Sequence, residues 1–291
     1  MLNKEEYIKL LTIAAPRTTA AIFDKYSTAL LEQNAALSDN KVNDQLLKTL
    51  VMKYVQAESE LKKLDELKNK LLGMAAHDLR NPLASIRGFS EILLEDSVDA
   101  ETRKEFLGVI FNVSEEMLRL LNDLLDISQI QSGKFELRKK AGALDEVVKR
   151  RIQLNQVIAA RKDIKIEMEV ESSPLISFDH ERIGQALDNF LSNAIKFSPR
   201  GSTITVRLKA DGMWSQVEVA DEGPGIPDEE RGRLFGEFQR LSSVPTGGEK
   251  STGLGLAIVS KIVKTHGGEV GVKRGKEGKG SVFFFALPVI T

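Results

Sequence analysis

The chain has 291 residues, 42% of them hydrophobic and 29% charged, with 41 basic residues against 42 acidic ones, a net charge of −1 and no cysteine. That composition excludes a disordered or fibrous chain, a surface dominated by nucleic-acid or anionic-membrane binding, and any disulfide, thiolate nucleophile or Cys-ligated zinc. The length suits two or three domains, since a domain usually takes about 100 to 200 residues.

No apolar run approaches the ~20 residues that span a bilayer, and the longest, Val282 to Ile290, contains Pro288. Glu5 and Glu6 follow Lys4, which speaks against a signal peptide. A cytoplasmic protein without membrane insertion is expected.

Residues 1–45 read as a weakly patterned helical segment of unknown role, broken at Pro16 and at Ser38-Asp39-Asn40. From Leu47 onward, beginning in the expected coiled-coil segment 46–70, a heptad emerges, with Leu47, Tyr54, Leu61, Lys68 and Ala75 at one position and Leu50, Ala57, Leu64 and Leu71 at the other. Alternating spacings of 3 and 4 predict a coiled coil, with Lys68 its weak point.

Residues 71–133 carry the seam onward through Leu72, Ala76, Leu79, Leu83, Ile86 and Leu93, until the polar stretch Glu95 to Thr102 ends the helix. A second helix has its own seam in Phe106, Ile110, Val113, Met117, Leu120, Leu124 and Ile127, and Gln131-Ser132-Gly133 closes it. One hairpin cannot bury such extensive stripes, so two copies should form a dimeric four-helix bundle.

From residue 134 to 291 the pattern becomes mixed. Helices are expected at Leu144 to Arg161, His180 to Phe197 and Leu254 to Thr265, with strands at Ile164 to Val170, Thr203 to Lys209, Val217 to Asp221, Glu269 to Lys273 and Val282 to Leu287. This is an α/β sandwich of single-domain size.

On the first hairpin helix His77 falls nearly opposite the seam of Leu72, Leu79 and Ile86 and should face solvent or a visiting domain. A neutral imidazole can attack phosphorus without a strong base, provided a carboxylate holds its tautomer, and Asp78 is the adjacent candidate. Asn81 lies one turn on, where its amide can position a water or an acyl phosphate. Pro82 removes a backbone bond and should bend the helix.

Further along, Arg182, Gln185, Asn189, Asn193 and Lys196 fall within about 80 degrees on one helix face, opposite Ile183, Leu187, Leu191 and Ala194. Amide oxygens can complete the octahedral shell of Mg²⁺, and Lys196 can neutralise phosphate. Asp221-Glu222-Gly223-Pro224-Gly225 ends a strand in a tight turn, where the aspartate is either a turn residue or a reader of a base amine. Ser251-Thr252-Gly253-Leu254-Gly255-Leu256 opens a helix whose free N–H groups suit phosphate. His180 is expected to cap a helix or face solvent, and His266 sits before Gly267-Gly268 at a helix end; neither is assigned to catalysis.

The run His77-Asp78-Leu79-Arg80-Asn81-Pro82-Leu83 resembles the H-box of two-component sensor histidine kinases. The order that follows it is an Asn-rich helix, Asp221-x-Gly223-x-Gly225, Phe235 and Phe238, then Gly253-Leu254-Gly255-Leu256. That order is similar to the N, G1, F and G2 boxes of the histidine-kinase branch of GHKL ATPases, so the resemblance covers roughly residues 65 to 290.

The resemblance implies a dimerisation and histidine phosphotransfer domain at 71–133 and a catalytic, ATP-binding domain of Bergerat fold at 134–291. It makes His77 the phosphorylated residue, with Asp78 assisting the kinase step and Asn81 supporting dephosphorylation of a response regulator. Asn193 becomes the main Mg²⁺ ligand with Asn189 beside it, Asp221 the adenine reader, Gly253 and Gly255 phosphate contacts, and Lys196 and Arg240 phosphate partners. Residues 228–252, with Gly232, Gly236, Gly247 and Gly248, would form a lid over ATP. The implied partners are a second copy of the chain and the receiver domain of a response regulator. A clamp-type GHKL ATPase would lack a reactive histidine on a hairpin, and a scaffold or pseudokinase would be expected to lose Asn193, Asp221 or the Gly253–Gly255 run.

Overall fold

The protein is described by a computed structural model over residues 40–95, 98–132, 135–236, 239, 246 and 253–289. The chain divides into two compact units, Met1–Gly73 and Met74–Thr291. In the first, the described residues are helical throughout and belong to α1, Asn40–Leu93, in which Leu61 and Val55 stay exposed. The expected break at Ser38-Asp39-Asn40 lies outside the described residues apart from Asn40, where the helix begins.

In the second unit, the last part of α1 and helix α2, Ala100–Gln131, form the hairpin. Pro82 is accommodated inside α1, which continues for eleven residues beyond it, to Leu93. Asp99 caps α2: its Oδ1 accepts from the backbone N–H groups of Glu101 and Thr102 at 3.0 and 2.9 Å, which holds its carboxyl below the usual range. The rings of Phe89 and Phe106 meet at 5.0 Å and set the register of the two helices. The seam residues Leu120 and Ile127 are buried, and Ile110, Val113, Met117 and Leu124 are half-buried.

The remaining elements are β1 (Lys140–Ala143), α3 (Leu144–Ala160), β2 (Lys165–Val170), β3 (Leu175–Phe178), α4 (His180–Phe197), β4 (Thr203–Ala210) and β5 (Trp214–Ala220). The short helix α5 (Asp228–Arg231), α6 (Gly255–Thr265), β6 (Glu269–Arg274) and β7 (Ser281–Pro288) complete the fold. The main sheet has the order β2-β4-β5-β7-β6; β2 and β4 are parallel and the other neighbours antiparallel. A second, two-stranded sheet of β1 and β3 was not anticipated, because each strand has only four residues and their pairing partner lies over 30 positions away.

Helices α3, α4 and α6 form one layer, with α4 in contact with both others. The apolar face of α4, Ile183, Leu187, Phe190, Leu191 and Ala194, packs into one core with Ile204, Val206 and Leu208 of β4, Val217 and Val219 of β5, and Phe283 and Phe285 of β7. Burial of these side chains supplies the main stabilisation, since each contributes about 1.5 to 3 kcal/mol on leaving water. No helix among the described residues is long and apolar enough to cross a membrane.

Candidate functional site

His77 lies on the outer side of the hairpin, its side chain 70% exposed, as its opposition to the apolar seam predicts. Its Nδ1 is 3.1 Å from the Asp78 carboxylate. An ionised carboxylate only accepts, so this contact places the ring hydrogen on Nδ1 and leaves the Nε2 lone pair facing solvent. Asn81 is exposed one turn further on, its carbonyl accepting from the Ser85 hydroxyl at 3.2 Å.

The second centre is a pocket of about 420 Å³, partly open to solvent, lined by Asn193, Phe197, Asp221, Gly225, Ile226 and Leu256 among others. Its walls are mostly apolar, as those of small-molecule sites usually are. Asp221, at the end of β5, is buried, which pushes its carboxyl up; the N–H groups of Gly223 and Ser281, both donating to Oδ1 at 2.9 and 3.1 Å, oppose that shift. Among the described residues no hydrogen bond ends on Oδ2.

The turn around Asp221 needs its glycines for different reasons. Gly225 has φ +77, which the turn requires, and it lines the pocket with no side chain to fill it. At Gly223 a side chain would press on Asp221 Oδ1 and the Phe197 carbonyl, each 3.0 Å from the added carbon. The Gly223 N–H is already committed to Asp221, so this residue shapes the site without offering a donor.

Sequence reasoning missed Gly280 and Ser281. Gly280 has φ +70, its N–H donates to the Gly223 carbonyl at 3.0 Å, and any Cβ there would collide with the Asp221 carbonyl. Ser281 supplies the second N–H to Asp221 and lines the pocket. The only sequence signal was a glycine-rich turn before the last strand.

Asn189 and Asn193 sit one turn apart on α4, both half-buried, and Asn193 reaches the pocket. The Asn189 Nδ2 donates to the Gln185 carbonyl at 3.2 Å, which turns Oδ1 towards the start of α6. There a side chain at Gly255 would run into that oxygen, so Gly255 lets α6 approach α4. Gly253 has φ +72 and precedes a helix that begins without a side-chain cap. Leu254, expected among the binding residues, is buried in the core, and its carbonyl accepts from the Ile258 N–H at 3.0 Å. Lys196 is half-buried near the C-terminal end of α4. Arg240, Thr252 and Phe238 lie outside the described residues, as does most of the expected lid; Phe235 packs against the main core and Gly232 follows α5.

The polar face of α4 is not uniform. Arg182 and Gln185 turn to α2, where Arg182 Nη1 donates to Asp126 Oδ1 at 2.6 Å and Gln185 Nε2 to Asp126 Oδ2 at 2.5 Å. The Arg182 guanidinium also covers the Phe135 ring at 4.7 Å. Only the C-terminal half of that face, from Asn189 on, is left for the pocket.

Neither of the other histidines behaves as a surface group. His180 does not cap α4: Asp179 does, through its carboxylate and the Arg182 N–H at 3.1 Å, while the His180 ring packs on Phe178 at 4.4 Å. His266 is buried, its Nδ1 donating to the Ile262 carbonyl at 2.8 Å and its Nε2 accepting from the Asp179 N–H at 3.0 Å. Burial lowers its pKa.

Two family models match the chain: the His Kinase A (phospho-acceptor) domain over residues 67–133, and the histidine kinase-, DNA gyrase B- and HSP90-like ATPase over residues 178–291. The chain belongs to the two-component sensor histidine kinases. Its two domains are those of a protein-histidine kinase, joined in the family's order.

Among the kinase's relatives, the sensor histidine kinase WalK of Bacillus subtilis is 31% identical over 240 residues, 79% of this chain and 38% of WalK. The non-motile and phage-resistance protein of Caulobacter vibrioides is 31% identical over 264 residues, 88% of this chain and 31% of that protein. The chain spans about a third of the length of these curated relatives. In structure it is similar to histidine kinase ThkA in complex with response regulator protein TrrA, with TM-score 0.59, 26% identity, and coverage of 82% of this chain and 66% of that one. It is also similar to full-length ShkA in complex with AMPPNP, with TM-score 0.57, 32% identity, and coverage of 77% and 46%.

Proposed function

We propose that the chain transfers the γ-phosphoryl group of ATP to His77 and then to an aspartate on the receiver domain of a response regulator, working as a homodimer in the cytoplasm. The observation that carries this reading is the exposed His77–Asp78 pair on a hairpin in the same chain as the Asp221 pocket. A clamp ATPase has use for the pocket but none for the pair. The relatives named above, one solved with a response regulator and one with an ATP analogue, support the same substrates.

In this reading adenine enters between Ile226, Leu256 and Phe197, and its amine donates to Asp221 Oδ2. The phosphates extend towards Asn193, Lys196 and the backbone of Gly253 to Gly255, with Arg240 and Thr252 as further contacts. Asn193 and Asn189 fit Mg²⁺, because they present neutral hard oxygens one turn apart and the Asn189 oxygen is already turned away from Gln185. Mg²⁺ bound there would neutralise charge on the phosphate oxygens.

His77 Nε2 attacks the γ-phosphorus, the bond to the β,γ-bridging oxygen breaks, ADP leaves, and the Nδ1 proton has Asp78 as its nearest acceptor. The phosphohistidine then gives its phosphoryl group to the receiver carboxylate, and Asn81, one turn away, orients the water that later hydrolyses the acyl phosphate.

The dimer is supported by apolar surface that one hairpin leaves open. Leu107, Phe111, Leu118, Leu121 and Leu125 are exposed at spacings of 4, 7, 3 and 4, a second stripe beside the buried seam. A second hairpin covers it. The test is incubation with γ-labelled ATP and Mg²⁺ beside His77→Gln. Acid-labile, base-stable label absent from the variant is the expected result, and ATP hydrolysis without His77-dependent label would sink the proposal.

A further inference from the structure

The contact between α2 and the ATPase domain is made by charge as much as by packing. Asp126 is buried, and both its oxygens are held, one by Arg182 and one by Gln185 of α4. A buried carboxylate with two such partners costs little while they stay and a good deal when one leaves. Asp123 lies one turn before it on the same helix and is half-buried. The charges that act on it are Asp126 and Arg119 of α2 and Lys196 of α4. Helix α6 also lies against α2, but its charged residues Lys261 and Lys264 are exposed and not among those charges.

The location gives this contact a consequence. Phe89 opposes Phe106, so an antiparallel register puts His77 level with Leu118. Asp126 is eight residues further along α2, about 12 Å at 1.5 Å per residue. The ATPase domain is therefore held some two turns beyond His77, and the His77 side chain stays 70% exposed. For a protomer's own pocket to reach its His77, the grip at Asp126 has to release.

We propose that Asp123 and Asp126 form a proton-sensitive dock for the ATPase domain, in which Asp126 grips Arg182 and Gln185 and uptake of one proton by Asp123 tightens the grip. When docked, Asp123 is taken from water and faces Asp126, both of which favour its neutral form. Lys196 and Arg119 offset this only in part, and its carboxyl is pushed up to about 6. Released, the same residue stands on an open helix face near its ordinary 3.8. The docked state thus binds the proton more tightly, and by linkage acid favours docking. With those two values the ratio of docked to released forms rises about fourfold from pH 7.5 to pH 5.5.

The absence of cysteine allows a direct test. Glu105→Cys on α2 and Glu167→Cys on β2, both exposed positions, take a donor and an acceptor dye in the full chain, diluted into unlabelled protein so that transfer reports one protomer. The docked-to-released ratio is expected to rise about fourfold on going from pH 7.5 to 5.5. Asp123→Asn, a near-isosteric change, should remove that rise and leave the domain docked. Arg182→Gln should lower the docked share at every pH while circular dichroism stays native. A pH response that survives in Asp123→Asn, or a docked share insensitive to Arg182→Gln, overturns the proposal. The readout involves no phosphoryl transfer, so its failure would leave the kinase reading standing, and loss of labelling at His77 would leave the dock standing.

Discussion

The two candidate centres of this chain are built in opposite ways. His77, Asp78 and Asn81 lie within five consecutive residues on one helix, exposed, and their geometry follows from 3.6 residues per turn. The Asp221 pocket draws on α4, the turn after β5, the start of α6 and the start of β7, so that Asp221 is held by the N–H of a residue 60 positions away. The geometry of the first centre needs only its own helix, whereas the second depends on four elements closing around a buried carboxylate. The contrast teaches that the proposed nucleophile and the proposed binding site are separable, and it should be possible to break each alone.

The largest separation is expected from His77→Gln, which abolishes phosphorylation while leaving the affinity for a fluorescent ATP analogue within about twofold, because no pocket residue touches position 77. Asp78→Asn should slow autophosphorylation by about a hundredfold or more with unchanged nucleotide affinity, as expected for loss of a base and tautomer anchor. An effect on KM instead of kcat would show that Asp78 belongs to the binding site.

On the other side of the comparison, Asp221→Asn removes a charged acceptor worth about 2 kcal/mol, so nucleotide should bind about 30-fold more weakly by titration calorimetry, with His77 still exposed. Gly280→Ala forces a methyl onto the Asp221 carbonyl at a positive φ and should cost the ATPase domain about 2 to 4 kcal/mol in chemical denaturation. The hairpin has its own equivalent in Leu118→Glu, which puts a charge in the open apolar stripe. Sedimentation should show the dimer dissociating at micromolar concentration while nucleotide affinity holds.

The smallest expected effect is one of pH, and it has opposite signs in the two regions. His266 has a folded-state pKa below its usual 6.5, because burial takes the charged ring out of water, with the nearby Lys139 charge acting in the same direction. The unfolded chain then binds the extra proton, so the stability of the ATPase domain is full above pH 6.5 and falls as pH drops through that value. Asp123 has a raised pKa, and its contribution to docking grows over the same descent. A urea midpoint for the ATPase domain that does not fall between pH 7.5 and 5.5, or a fall that survives His266→Gln, would remove His266 from the account.

Much of this was legible beforehand. The bounds of α4 match the expected helix residue for residue, since an N-cap aspartate and a strong apolar face mark it from both ends. The strands of the main sheet were expected within a few residues, and the exposure of His77 followed from its place opposite the seam. What escaped was set by distant residues: the β1–β3 pairing, the burial of Leu254, the use of Gly280 as a spacer, and the clamping of His266 to Asp179. Local pattern carries no signal for a contact whose partner lies 40 or 80 positions away.

The sequence by itself determined the hairpin, the exposed His77 face of α1 and the α/β character of the second domain. Those depend on periodicity and on caps, which neighbouring residues decide. Only the tertiary structure decided which half of the polar face of α4 lies at the pocket and which half grips Asp126. Both halves carry the same kinds of side chain at the same helical angle, and what separates them is the position of α2, which packing of the whole domain sets.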